Sequence, residues 1–394
     1  MSGTLDVEVA VVGGGPAGAA VACHLAAAGR EVVVFERLAK PVWRACGVYS
    51  SPLTRRQLAR LGLTADQLDR LIRPIPAMEV SIVDGGASCR LEYAWPNEAC
   101  GIDRVRLEQA LLDLIRGRGV HVFEGAVVRS VEVGRSSPTL TVSQESGVAR
   151  WTPRVVVGAD GPASIVARES GVARPTKWFK RGALTGHRAY QAEAARMVIG
   201  AGWYMGIAPV PGQRVNLGLV MGEEDLRSRL RQGDPAHVVN GAVRAIAGAD
   251  SLLGAAATDV VASHLPLVHR VRQTAGPGFV LVGDAAGFVD PLSGEGLHRA
   301  LASAELAAGA IGDHLGGDRL ALQEYDRRLR ARFRSKDALS WALQLFMLRP
   351  ELARRAIRRL DRDFALRSTF AAALADLAPA TTVLDPRFVA RLLA

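Results

Sequence analysis

The glycine-rich segment near the start of the chain is the feature that most constrains its fold. Residues 7–12, VEVAVV, form an apolar run typical of a parallel strand buried on both faces. They lead directly into residues 13–18, GGGPAG, which open a predicted helix of small and apolar side chains. A second predicted strand, residues 31–35, ends at Glu36. This order of strand, G-x-G-x-x-G turn, helix, strand and acid predicts a dinucleotide-binding βαβ unit.

Each part of this unit suits one part of a dinucleotide. Gly13 permits the tight turn, Gly15 lets the backbone approach a pyrophosphate, and Gly18 lets the helix pack closely on the strand. The phosphates are expected at the helix N-terminus, where free N–H groups and the helix dipole favour negative charge. Glu36, roughly 20 residues after the glycines, is the acid expected to bond a ribose hydroxyl.

Composition argues against several classes of protein. The net charge of +10 over 394 residues is carried almost entirely by arginine, and no basic stripe is interleaved with aromatic residues, so no nucleic-acid partner is predicted. The four cysteines form no C-x-x-C pair and no metal-like group with the eight histidines, which predicts no metal site and a cytoplasmic location. Residues 1–6 are too short and polar for a signal peptide, and no apolar run approaches the ~18 residues of a membrane span.

Two later strand ends carry an aspartate in a turn of small residues. Asp160 follows the apolar run 155–157, and Asp284 follows the run 279–282. Each turn directs backbone donors and a carboxylate toward a bound ligand, and a purely structural turn is the alternative for both. We expect Asp284 to bond a ribitol or ribose hydroxyl. The helix that begins near Gly296 is expected to face the pyrimidine end of a flavin, where negative charge collects on reduction.

Two arginines are candidates for the same ligand. Arg44 lies in the turn-rich loop 37–51, where Gly47 would let the backbone pass close to a flat ring. Arg104 lies directly before the predicted helix 105–116 and is placed to bond a phosphate or a carbonyl. An ordinary surface connection and a solvated arginine are the respective alternatives.

Alternating polar and apolar residues predict a second lobe built on a β-sheet. Residues 78–95 alternate about an Asp84-Gly85-Gly86 turn, which indicates a hairpin. Residues 177–271 mix strand-like pieces with a helical stretch, as in an antiparallel sheet covered by helices. Residues 203–209, WYMGIAP, place large apolar side chains beside glycines, which suits either a packed core or a pocket lined by Trp203, Tyr204 and Met205.

The end of the chain is basic and helical. Residues 321–394 hold 15 Lys+Arg against 8 Asp+Glu. Residues 325–348 and 351–366 are predicted helices interrupted at Pro350, with a bulky apolar surface. They are interpreted as a helical cover over the core, or as a flank that guides a lipid-like substrate and contacts an anionic membrane.

Three strand-end turns exceed what a single nicotinamide site needs, and they suit FAD. With these motifs the chain resembles the flavoprotein superfamily of para-hydroxybenzoate hydroxylase, and within it the geranylgeranyl reductases and class A flavin monooxygenases. The resemblance covers about residues 1–315. It rests on the glycine turn with Glu36, on the Asp-Gly motif 158–164, on the motif 283–296 with its G-D and G-E-G elements, and on Arg104.

The resemblance implies a set of site residues. The expected cofactor contacts are Gly13, Gly15, Pro16, Ala17, Gly18, Glu36, Arg37, Arg44, Cys46, Gly47, Arg104, Val128, Asp160, Gly161, Gly283, Asp284, Gly287, Pro291, Gly294 and Gly296. The candidate catalytic residues are Cys46, Trp203 and Tyr204.

The predicted fold is α/β with an α+β second lobe. A Rossmann-like FAD-binding domain is assigned to residues 1–72, 101–173 and 273–320, and an inserted mixed β-sheet substrate domain to residues 73–100 and 174–272. A C-terminal helical region, residues 321–394, completes the chain.

The resemblance is less specific for the reaction. The segment Pro41-x-x-x-x-Cys46-Gly47 is similar to the geranylgeranyl reductases, while Arg44 to Val48 is similar to the arginine loop of the hydroxylases. We expect an oxidoreductase that uses NADH or NADPH on a hydrophobic or aromatic small molecule, with monooxygenation slightly ahead of alkene reduction. Halogenation ranks third, because no halogenase-type lysine lies between Cys46 and Arg90. A non-catalytic flavin module is a fourth hypothesis.

Overall fold

The computed structural model describes residues 4–84, 86–93, 96–134, 137–176, 180–347 and 349–394. Four residues that end or interrupt predicted segments, Gly85, Trp95, Lys177 and Leu348, lie outside that description.

The described strands and helices follow one another in two lobes and a C-terminal cover. The strands are β1 (Thr4–Val12), β2 (Val32–Glu36), β3 (Tyr49–Ser50), β4 (Ile72–Ile75), β5 (Ala77–Ile82), β6 (Ser88–Glu92), β7 (Ala99–Ile102), β8 (His121–Glu124), β9 (Val127–Glu132), β10 (Thr139–Gln144), β11 (Gly147–Gly158), β12 (Ala173–Arg174), β13 (Arg181–Arg188), β14 (Ala195–Ile199), β15 (Trp203–Val210), β16 (Arg214–Gly222), β17 (Ala262–His264), β18 (Arg270–Val271), β19 (Ala275–Gly276) and β20 (Phe279–Leu281). The helices are α1 (Pro16–Ala27), α2 (Leu53–Leu61), α3 (Ala65–Leu71), α4 (Arg104–Arg116), α5 (Ile165–Glu169), α6 (Glu223–Gln232), α7 (Pro235–Arg244), α8 (Asp250–Gly254), α9 (Gly296–Leu315), α10 (Ala321–Met347), α11 (Pro350–Arg362), α12 (Phe364–Leu374), α13 (Thr381–Leu384) and α14 (Pro386–Leu393), with 3-10 turns at Gly283–Ala286 and Pro291–Ser293.

The first lobe is an eight-stranded sheet in which five parallel strands lie in the order β20-β11-β1-β2-β8, while β9, β10 and β19 pair in antiparallel fashion. The middle strand β1 is apolar because both of its faces are covered, and Val9, Ala10 and Val11 are fully buried. Helices α1, α4 and α9 pack on one face of the sheet. Since parallel strands end at the same edge, the turns after β1, β11 and β20 lie together there. This arrangement confirms the predicted Rossmann-like fold.

The second lobe is a sheet in the order β17-β13-β16-β15-β14-β5-β6. Its strands are antiparallel except for β14 and β5, which run parallel. Helices α6 to α8 cover one face through a cluster of apolar residues that includes Leu217 and Val239. The opposite face packs on the C-terminal helices and on loops of the first lobe, and we call it the inner face.

A small three-stranded sheet, β3-β7-β4, joins the lobes. Its close approach to the substrate sheet requires a glycine, because a Cβ on Gly101 would lie 1.8 Å from the carbonyl oxygen of Pro209. Within the described residues no helix is both long and apolar enough to cross a membrane.

The C-terminal helices bridge both lobes. The Tyr325 hydroxyl donates to the carbonyl oxygen of Leu281 over 2.6 Å, which fixes the start of α10 against β20. Further along, Leu339 and Ile357 pack on the inner face of the substrate sheet. The predicted second helix, residues 351–366, is divided in the structure, because extended Asp363 caps α12 by accepting from the Leu366 N–H. The predicted domain boundaries stay a prediction.

Candidate active site

The motif specifies three glycines in the turn after β1, and only one of them, Gly15, has open space beside it. Gly13 has φ +102°, and a Cβ there would lie 2.5 Å from the carbonyl oxygen of Ala159. A Cβ on Gly18 would lie 1.9 Å from the carbonyl oxygen of Gly13. Around Gly15 there is no atom within 4 Å of such a Cβ. The N-terminus of α1 also has no side-chain cap, so its N–H groups face this space and suit a pyrophosphate. Pro16 and Ala17 form the first turn of that helix.

Glu36 is fixed by the main chain at the end of β2. Its two carboxylate oxygens accept hydrogen bonds from the N–H of Gly14 over 2.7 Å and from the N–H of Leu38 over 3.0 Å. A carboxylate has lone pairs beyond these two, so Glu36 remains able to accept from a ribose hydroxyl. Arg37 is exposed beside it, and Val128 is half-buried on β9 in the neighbouring apolar cluster.

Asp160 carries a buried oxygen without a partner. Its Oδ2 accepts from the Ile165 N–H over 2.6 Å, whereas Oδ1 has no hydrogen-bond partner among the described residues. Burial raises the pKa of this carboxyl group. The adjacent Gly161 has φ +81° and open space around it. An orphaned acceptor beside an open turn is what a site for a hydroxyl-bearing ligand provides.

The structure brings three other candidates, Arg44, Cys46 and Arg104, together next to Asp284. Arg104 donates to Glu108 over 2.8 Å and to the Cys46 Sγ over 3.2 Å, and Arg44 donates to the same Glu108 over 2.8 Å. Burial raises the pKa of Asp284, and the nearby Arg104 opposes that rise. Burial disfavours the charged guanidinium of Arg104, but Cys46 and Glu108 raise its pKa above the usual value. Residues from the loop before β3, from α4 and from the turn after β20 thus form one charged cluster.

Cys46 lies where this cluster meets the substrate sheet. Its backbone N–H donates to the Thr185 Oγ1 over 3.2 Å, and its thiol donates to the carbonyl oxygen of Gly47 over 3.2 Å. Burial raises the pKa of the Cys46 thiol, an effect that Arg104 only partly offsets. The thiol is therefore protonated at neutral pH. Gly47 itself has open space on its Cα.

The loop after β20 runs from the charged cluster to the start of α9. The N–H of Gly283 donates to the Ser303 Oγ over 2.9 Å, and Gly287 and Gly294 have φ of +131° and +66°. A Cβ on Gly294 would lie 2.4 Å from the ring of Tyr49, so a glycine is required. Pro291 opens the second 3-10 turn, and Gly296 begins α9 with open space beside it.

Tyr204 and Trp203 point to opposite faces of the substrate sheet. Tyr204 belongs to the inner-face cluster, and its hydroxyl donates to Asp290 over 2.5 Å. Trp203 and Met205 belong to the cluster under α6 to α8. Trp203 therefore lies apart from the other candidate residues, since neighbouring residues of a strand alternate between faces. Its catalytic role stays a prediction. This period of two was visible in the sequence, but the sequence did not say which face is the inner one.

Sequence reasoning missed a buried histidine on the inner face. The Nδ1 of His187 lies 2.5 Å from the Asp259 Oδ2, and the Trp43 ring packs on the imidazole at 4.3 Å between centroids. Burial lowers the pKa of His187, which Asp259 partly opposes. No motif marks this pair, because 72 residues separate its members. Its position two residues from Thr185 places it beside the Cys46 loop.

Comparison with known proteins identifies the cofactor as FAD. Residues 6–336 match the FAD binding domain family. The menaquinone reductase of Mycolicibacterium smegmatis is 28% identical over 352 residues, which span 82% of this chain and 81% of that protein. The tryptophan 2-halogenase of Chondromyces crocatus is 25% identical over 362 residues, which span 86% and 67% of the two chains.

A solved structure has the same fold. It is the geranylgeranyl bacteriochlorophyll reductase-like protein of Thermoplasma acidophilum, with a TM-score of 0.79 at 18% identity over 97% of this chain and all of that one. The orphaned Asp160 oxygen and the open space at Gly15 fit the hydroxyl and phosphate groups of FAD. Because the family match spans most of the sequence, the protein belongs to the FAD binding domain family and is an FAD-dependent oxidoreductase.

Proposed function

We propose that this protein reduces a carbon–carbon double bond of a hydrophobic, lipid-like substrate, such as the prenyl chain of a quinone. The position and protonation of Cys46 carry the proposal. The thiol lies between the Asp284–Arg104 cluster and the inner face of the substrate sheet, and burial raises its pKa so that it holds its proton.

Reduction of a double bond needs a hydride on one carbon and a proton on the other. Bound FAD in its reduced state supplies the hydride. We assign the proton to the Cys46 thiol, and its S–H electrons then remain on sulfur as a thiolate. Arg104, 3.2 Å from that sulfur, stabilises the thiolate until solvent returns the proton. Each cycle therefore consumes one hydride and one proton and leaves Cys46 unchanged.

The inner face of the sheet suits an apolar substrate. Gly206 and Gly218 lie directly opposite each other at its centre, and the nearest atoms to a Cβ at either would be 3.8 Å away. The floor beside Thr185 is therefore free of bulky side chains. Half-buried apolar residues surround it, among them Trp43 and Phe288. We propose that the substrate binds in an apolar chamber over this floor, where burial of its hydrocarbon stabilises the complex.

The same thiol argues against the hydroxylase that the sequence slightly favours. A hydroxylase handles reactive oxygen at the site of reaction, where a cysteine is oxidised to a sulfenic acid and beyond. A reductase does not require oxygen beside Cys46 for its reaction. The similarity to a menaquinone reductase over four-fifths of both chains supports the same choice, while the similarity to a halogenase keeps halogenation as an outcome to test.

Exposed side chains on the C-terminal helices support contact with a membrane surface. Leu345 and Phe364 are 59% and 68% exposed, and Arg355 and Arg362 are exposed on α11. Residues 321–394 as a whole carry 15 Lys+Arg against 8 Asp+Glu. Apolar side chains among arginines bind anionic bilayers. We propose that a lipid-like substrate reaches the chamber from such a surface.

The product mass tests the reaction. The protein is mixed anaerobically with NADH or NADPH and with menaquinone in detergent, and bleaching of the flavin absorbance identifies the reductant. We expect a product that is heavier by two hydrogens after the quinone ring of the extract has been reoxidised in air, with both hydrogens in the prenyl chain, because reduction of the ring alone adds the same mass. Oxygen or halogen incorporation after admission of air and halide would overturn the proposal.

Two variants separate the role of Cys46 from its place in the fold. Cys46→Ala is expected to bleach normally with the reductant but to form product about 10²-fold more slowly or worse. The control is Cys89→Ala, because Cys89 is buried at the far strand β6, near Asp361 and Arg367. Equal product rates for Cys46→Ala and Cys89→Ala would exclude the thiol as the proton donor.

A further inference from the structure

A buried lysine of α10 joins the flavin loop to the C-terminal helices. Lys336 is 4% exposed, and its Nζ contacts the Glu295 carboxylate and lies 2.9 Å from the Asp376 Oδ1. It also donates to the carbonyl oxygens of Ala373 and Leu374 over 2.8 and 3.2 Å. Glu295 directly precedes Gly296, the first residue of α9. We call Glu295, Lys336 and Asp376 the Lys336 cluster.

The Lys336 cluster holds more acceptors than it can satisfy. Glu295 is 3% exposed, and the Asp376 Oδ2 is buried without a hydrogen-bond partner among the described residues. His298, one turn into α9, is 2% exposed, and its Nε2 also lacks a partner there. Two carboxylates with one ammonium give a buried net charge of −1 when all are ionised. Such a charge is costly, so the cluster gains by binding a proton.

We propose that the Lys336 cluster binds and releases a proton in step with the reduction of FAD, and thereby sets the reduction potential of the cofactor. Reduction of a flavin places negative charge at its pyrimidine end, and the sequence predicts that this end would face the start of α9. That charge repels the ionised carboxylates of the cluster and attracts the lysine. Reduction therefore favours the protonated cluster, and a protonated cluster favours reduction.

The surrounding charges place proton binding and release by the Lys336 cluster near neutral pH. Burial raises the pKa of Glu295 to about 7, the ammonium of Lys336 opposes that rise, and Asp376 adds to it. Arg299, also on α9, lowers the same pKa. His298 is kept neutral, since burial lowers its pKa. Arg332 of α10 also faces His298 and contributes to that lowering. The geometry alone, a lysine enclosed by two carboxylates, already requires a titrating group here.

Measured midpoint potentials of the FAD-loaded variants test the proposal without any substrate. Glu295→Gln removes a negative charge and is expected to make the potential more positive at about pH 8.5, but not at about pH 5.5, where Glu295 is already protonated. Lys336→Met removes the positive charge and is expected to make the potential more negative. We expect shifts equivalent to about a tenfold change in the ratio of reduced to oxidised FAD, or ~30 mV for a two-electron couple.

The opposite signs distinguish an electrostatic role from a structural one. A cluster that only holds the helices together would give shifts of the same sign, or none, because either variant breaks the same contact. Glu324→Gln on the exposed side of α10 is the control and is expected to leave the potential unchanged. If Lys336→Met does not fold, Glu295→Gln and Asp376→Asn decide the question. Potentials equal to the wild type at about pH 8.5 in both would overturn the proposal.

Discussion

The two sides of the active site differ in what holds them in place, which is backbone conformation on the cofactor side and side-chain contacts on the substrate side. On the cofactor side, the turns after β1, β11 and β20 are shaped by backbone conformation, since Gly13, Gly161 and Gly283 all have positive φ. A Cβ on Gly13 would also meet main-chain atoms. On the substrate side, the loop 287–296 is held by side-chain contacts, from Tyr204 to Asp290 and from Lys336 to Glu295. Turns of this kind accept few side chains, whereas side-chain contacts can be tuned by substitution. We therefore expect the first side to position FAD and the second to adjust the reactivity of the cofactor.

The largest expected effect distinguishes two glycines of the same turn. Gly18→Val is expected to yield no folded protein, because even a Cβ would overlap the carbonyl oxygen of Gly13 at 1.9 Å. Gly15→Val has open space, so the protein should fold but remain colourless, since the side chain fills the space for the pyrophosphate. Circular dichroism measures folding and visible absorbance measures bound flavin.

A third glycine is the control for that pair. Gly309→Ala lies within α9 with no atom within 4 Å of the new Cβ, and we expect a yellow protein stabilised by up to about 1 kcal/mol. Full flavin occupancy in Gly15→Val would show that the turn does not bind the cofactor.

A smaller effect is expected on the substrate side. Tyr204→Phe removes the hydroxyl that donates to buried Asp290, and the loss of a hydrogen bond to a buried charged group costs about 1.5–3 kcal/mol. Urea unfolding of the flavin-loaded protein measures it. Tyr190→Phe is the control, because the Tyr190 hydroxyl makes only a long, exposed contact of 3.5 Å with Ser251. Equal unfolding free energies for Tyr204→Phe and Tyr190→Phe would show that the hydrogen bond from Tyr204 to Asp290 does not stabilise the protein.

The contrast between the two sides also explains what the sequence could predict. The glycine turn, Glu36, Asp160 and Asp284 were found because strand, turn and helix lie next to one another in the chain. Their proximity in the structure then followed from parallel strands ending at one edge. Whether each binds the cofactor stays a prediction.

Contacts between distant parts of the chain left no such pattern. His187 and Asp259 are 72 residues apart in the sequence. Lys336 lies 41 residues after Glu295, in a helix whose sequence shows only a high content of basic residues. The separation of Trp203 from the other candidate residues was missed for a related reason. Alternation separates the two faces of a strand, but only the packing of α6 to α8 on one of them decides which face is the inner one.

The smallest expected effect concerns membrane binding by exposed apolar side chains, on the C-terminal helices and on the cofactor lobe. Phe364, 68% exposed on α12, and Val148, 66% exposed on β11 of the cofactor lobe, are matched in exposure but not in surroundings. The Arg367 guanidinium lies 5.5 Å from the Phe364 ring centroid, in the basic C-terminal region.

Co-flotation with vesicles of phosphatidylglycerol measures binding, and vesicles of phosphatidylcholine measure the contribution of charge. We expect Phe364→Ser to lower binding to the anionic vesicles severalfold, because membrane binding increases with the apolar area that the bilayer buries. The Val148→Ser variant should bind the vesicles like the wild type, and added salt should weaken the vesicle binding of these two proteins equally. Equal losses in the two variants would mean that the C-terminal helices only cover the core, and that substrate reaches the inner face from solution.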